Sequence, residues 1–104
     1  MPESPPATPE WWLKRGDETL ARILVYGIDQ PWFLGRFEPL GGFEAVRGRF
    51  ERQLYLLEQK DWAAFEELWA ELCGLGLTLE RPGTGEVASE FLLHIQGQDA
   101  WFRY

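Results

Sequence analysis

The chain has 104 residues, 45% of them hydrophobic, and a formal charge of −7 from 17 acidic and 10 basic side chains. That length fits one domain, and a field of that sign opposes attraction to phosphate backbones or anionic lipid, which disfavours nucleic acid and membranes as partners. Cys73 is the single cysteine and His94 the single histidine, so an internal disulfide is excluded and the familiar zinc-site patterns have too few ligands.

Residues 1–10 carry four prolines and no large apolar group beyond Met1, the composition of a flexible tail. Residues 11–104 then read as a single α+β domain. The amino terminus lacks the basic flank and apolar core of a signal peptide, and no run approaches the roughly 18 apolar residues of a membrane span. A lone cysteine and no leader lead us to expect a cytoplasmic protein. Eight of the ten basic residues are Arg and Asn is absent, a usage expected of GC-rich bacterial coding. At Trp11-Trp12-Leu13 the composition changes abruptly, which predicts a docking point for this segment, either on one edge of the core or folded back as a lid.

Residues 19–27 are β-branched and apolar and end at glycine, a strand signature. Ile23-Leu24-Val25-Tyr26 is apolar on both faces, as in a strand covered from two sides. After a turn at 28–31, residues 32–38 predict a second strand. Alternation puts Phe33 and Phe37 on one face and Trp32, Leu34 and Arg36 on the other. Next, Phe43, Val46, Phe50, Leu54 and Leu57 recur three or four apart, the stripe of an amphipathic helix, with Tyr55-Leu56 pointing away from it. Asp61 suits the N-cap of a second helix with the stripe Trp62, Phe65, Leu68, Trp69 and Leu72, stopped at Gly74. The link at 59–60 is so short that the two helices must pack as an antiparallel hairpin.

Residues 75–81 predict a third strand, 82–85 a turn, and 86–96 a fourth strand running into a closing hairpin. Gly97-Gln98 reads as a two-residue turn with glycine where a positive φ is required. That register sets Ile95 opposite Ala100, Leu93 opposite Phe102 and Phe91 opposite Tyr104 on one face. On the other, His94 lies opposite Trp101 and Leu92 opposite Arg103. The order ββααβββ gives an α+β fold, an antiparallel or mixed sheet with a two-helix hairpin on one face.

The helices can cover only one sheet face. The other collects Trp32, Leu34, Arg36, Leu92, His94, Trp101 and Arg103, more ring and aliphatic surface than a solvated face carries. Trp and Arg are also the types enriched among interface hot spots. Three coverings follow: the Trp11-Trp12 segment as a lid, a second copy in a homodimer, or a different protein or ligand. Catalysis is poorly supported. Glu90 lies about 13 Å along the strand from His94, Asp99 is a diagonal neighbour about 7 Å away, and Ser89 faces the other side. His94 is therefore expected at the surface, stacked on Trp101. Cys73, at a helix C-terminus where the dipole does not lower a thiol pKa, is expected to be buried and inert. Glycines 83 and 85 lack the length and lysine of a phosphate loop. Trp32 and Trp101 with Arg36 and Arg103 also match the stacking and pairing groups of single-strand nucleic-acid binders, against which stands the net acidity. The sequence names no catalytic residue, cofactor or metal. It points to protein–protein contact, regulatory or adaptor-like, with a ligand-binding module, its pocket between the sheet and the Trp11-Trp12 segment, as the alternative.

Overall fold

The computed structural model describes residues 10–104. The expected proline-rich tail lies outside the described residues except for Glu10, which begins the first strand. Seven strands form one antiparallel sheet: Glu10–Arg15 (β1), Glu18–Asp29 (β2), Trp32–Pro39 (β3), Leu77–Arg81 (β4), Glu86–Ala88 (β5), Leu92–Gln96 (β6) and Asp99–Arg103 (β7). Their order across the sheet is β5-β4-β1-β2-β3-β7-β6. Helices Glu44–Glu58 (α1) and Trp62–Gly74 (α2) stand between β3 and β4. The fold is α+β with a helical hairpin packed against one sheet face. Two strands are added to the sequence reading: Trp11-Trp12-Leu13 belongs to β1 instead of docking as a separate segment, and residues 86–96 divide into β5 and β6.

That division explains the shape of the sheet. β5 and β6 are its two outermost strands, six steps apart, which in a flat sheet would separate them by roughly 29 Å. Yet only residues 89–91 join Ala88 to Leu92, and four backbone steps span at most roughly 14 Å. The sheet must therefore curl until its edges face each other across a gap. The inner face records this curl. Trp11 of β1 and Tyr104, just beyond β7, have ring centroids 5.0 Å apart, although β1 and β7 are three strands removed, roughly 14 Å when flat.

The curled interior is packed with rings. Phe102 is fully buried, stacked on Phe33 at 5.4 Å and edge-on to Trp11 at 5.8 Å. Leu13, Ile23, Leu79 and Leu93 are likewise fully buried around them. Gly35 makes the tight centre possible: a Cβ there would meet Ile23 Cγ2 at 2.6 Å and the Leu24 carbonyl at 3.1 Å. Opposite it on the neighbouring strands stand Val25 and Ala100.

The helical hairpin packs against the inner side of the sheet. Phe43 from the short helical turn before α1, Val46 and Phe50 from α1, and Leu72 from α2 enter the core. Asp61 caps α2 by accepting from the Ala64 amide at 3.3 Å, and Arg49 pairs with Glu71 across the two helices at 2.9 Å. Side chains of both helices depart from the predicted stripes. Gln53 and Leu56 are buried while Leu54 and Leu57 are half-buried, because α1 lies between β6 and α2 and so buries a wider arc than one stripe. Trp62, at the first turn of α2, is 55% exposed.

Candidate functional site

The convex face of the sheet carries the aromatic and arginine cluster, and the predicted hairpin register places it. Gly97 has φ +61°, as the two-residue turn demands. His94 pairs with Trp101, Leu92 with Arg103, and Leu93 with Phe102. On the other side of β7, Leu34 pairs with Trp101 and Arg36 with Asp99. Leu34 and Trp101 thus sit side by side on adjacent strands, both half-buried, with Trp32 two residues along β3. Arg103 extends across so that its guanidinium lies 5.3 Å from the Trp32 ring centroid, a cation–π contact that fixes both. Arg36 and Arg103 are exposed, and among the described residues neither forms an ion pair.

The apolar strand expected at 19–27 predicts Leu24 or Val25 on this face; it adds Leu24, and Trp12 and Tyr26 extend the face further. Trp12 and Leu24 lie on it half-buried, and Tyr26, the extra residue of a bulge between Val25 and Gly27, is 65% exposed. Alternation along β1 already implies Trp12, because Trp11 and Leu13 point inward. The Trp12 indole donates to the Glu10 carboxylate. The Trp11-Trp12 segment is therefore no lid. As a strand inside the sheet it contributes Trp12 to this face.

His94 departs most from expectation. It is 4% exposed, not at the surface. Its Nδ1 lies 3.0 Å from Gln53 Oε1 of α1 and donates to it, which leaves the proton on Nδ1 in the neutral ring. The rings of Trp32, Trp101 and Phe65 surround it at 5.4, 5.5 and 6.2 Å. The cause is α1, which runs along the free edge of β6, while the start of α2 brings Phe65 over the same edge. Gln53 was detectable only as a polar residue three positions after Phe50, a weak signal. Burial lowers the His94 pKa to about 4, so the ring is neutral at pH 7. Among the described residues its hydrogen-bond partner is Gln53, not Glu90, Asp99 or Ser89, and Gln53 Nε2 has none. His94 is thus the floor beneath the two tryptophans instead of a contact residue, and among the described residues no nucleophile–base pair forms around it.

Cys73 also differs from expectation: it is exposed, in the last turn of α2 beside the cleft that the 89–91 link lines. No group of three or more His, Cys, Asp or Glu able to hold a metal occurs among the described residues. No helix among them is long and apolar enough to cross a membrane. Comparison with family models, with curated proteins and with solved structures finds no match to this chain.

Proposed function

We propose that this protein works by contact with another protein, docked on the convex sheet face through Trp32, Leu34 and Trp101, with Arg36 and Arg103 at the margin. The observation that carries this reading is the adjacency of Leu34 and Trp101, half-buried on neighbouring strands, on a face that the helices cover only at His94. A solvated antiparallel face ordinarily alternates toward polar residues. The rings here are also held rigid, Trp101 against His94 and Trp32 beneath Arg103, so little side-chain entropy is lost on docking. A regulatory or adaptor-like role in the cytoplasm suits a small acidic domain whose described residues offer no catalytic set. The partner is a second copy of the chain or a different protein.

The variants Leu34→Glu and Trp101→Glu test this. The expected result is loss of a dimer in light scattering, or loss of a co-purified partner from the native host, with an unchanged far-ultraviolet spectrum. A wild-type monomer that retains the same bound proteins as both variants would overturn the reading.

A further inference from the structure

The curled sheet does not close, and the gap between its edges holds a second feature, which meets the convex face at Arg103 and Leu92. Between the C-terminal half of α2, the 89–91 link and the end of the β6–β7 hairpin lies a cleft of about 670 Å³. Its walls include Trp69, Phe91, Leu92 and Tyr104. At its inner end a slot of about 10 Å³, bounded by Phe50, Leu72 and Leu77, shares Trp69 and Phe91 with it and leads toward the core. A concave, mainly apolar site of several hundred Å³ at the mouth of a barrel-like sheet is a common setting for small ligands.

Two opposite charges line the same cleft, Arg103 and Glu90. No ion pair joins them, and among the described residues neither is paired elsewhere. Arg103 is steadied from behind by the Trp32 ring. Unpaired charges of both signs at the rim, above an aromatic wall, complement a molecule that carries both signs and an apolar group. A simple anion fits less well, since Glu90 and the net charge of −7 repel it.

We infer that the cleft between α2 and the 89–91 link binds a small zwitterion with an apolar side chain, the chemistry of an aromatic or branched α-amino acid. Its carboxylate pairs with Arg103 and its ammonium with Glu90, while its side chain lies between Trp69, Phe91 and Leu92. The site shares Arg103 and Leu92 with the margin of the convex face, whereas Leu34 and Trp101 lie outside it.

Cys73 lines the cleft and is the only thiol, so its alkylation reports occupancy at one place in the native chain. The expected result is that 10 mM L-phenylalanine or L-leucine slows iodoacetamide labelling of Cys73 several-fold, whereas 3-phenylpropionate and phenethylamine, each with one charge removed, protect at least tenfold less well. Arg103→Gln and Glu90→Gln, both exposed positions, should each abolish the protection, measured against the same variant's unprotected labelling rate. No protection by either amino acid would overturn the inference. Equal protection by 3-phenylpropionate, or undiminished protection in both variants, would overturn the assignment of a zwitterion. Leu34→Glu should protect like wild type, which separates this outcome from failure of the docking face.

Discussion

The buried His94–Gln53 pair makes stability depend on pH in a way that a single substitution can isolate. Above pH 6.5 the imidazole is neutral in both the folded and the unfolded chain. As pH falls from 6.5 to about 4, the folded pKa, only the unfolded chain takes up the proton, so unfolding becomes progressively easier. Below about 4 both states are protonated and the loss is complete. A shift from 6.5 to about 4 corresponds to about 3 kcal/mol at 1.36 kcal/mol per unit. Carboxylates titrate in the same window, so wild type should be compared with His94→Asn, whose amide can still donate to Gln53 Oε1. That variant loses ring packing against Trp32, Trp101 and Phe65, a pH-independent cost of about 2 kcal/mol. Urea unfolding at intervals from pH 7.5 to 3.5 should show the variant less stable near neutrality. By pH 3.5 its deficit should have shrunk by about 3 kcal/mol, enough to reverse the order. A difference that stays constant across the range, or an imidazole that titrates near 6.5 in the folded protein by NMR, would refute the reasoning.

Other substitutions probe the curl and the caps. Gly35→Ala should cost about 1–3 kcal/mol in denaturant unfolding, because its Cβ would press on Ile23 and the Leu24 carbonyl; an unchanged midpoint would show that the sheet centre has room. Phe102→Ala removes the ring shared by Trp11, Phe33 and Tyr104 and should cost about 3–5 kcal/mol in the same assay. Asp61→Ala should lower stability by about 1 kcal/mol through loss of the α2 cap.

Short-range geometry was readable in the sequence, and long-range closure was not. The Gly97 turn dictated the β6–β7 register, and period-2 alternation then put Leu92, His94, Trp101 and Arg103 on one face. Asp61 and the short link at 59–60 likewise announced the helical hairpin. What alternation cannot report is which strands neighbour one another. The pairing of β1 with β4, and of β3 with β7, joins segments more than sixty residues apart. The curl that follows from it decides what covers each face. His94 illustrates the consequence: its face was correct, but its burial depends on α1 lying along the β6 edge, information no local pattern holds. Cys73 failed for the complementary reason, since the stripe of α2 does not reveal that its last turn overlooks the gap instead of a strand. Trp12 was within reach, because its neighbours Trp11 and Leu13 fit a strand as readily as a docking segment.

A photoreactive benzophenone amino acid placed at Leu34 tests the docking face most directly, with the same group at exposed Val87 on β5 as the control. Irradiated in the native host, the Leu34 probe should give one discrete adduct, with a second copy of the chain or a single other protein, and Trp101→Glu should remove it. If Leu34 gives no adduct, or only the same diffuse products as Val87, the convex face is not where this protein meets its partner.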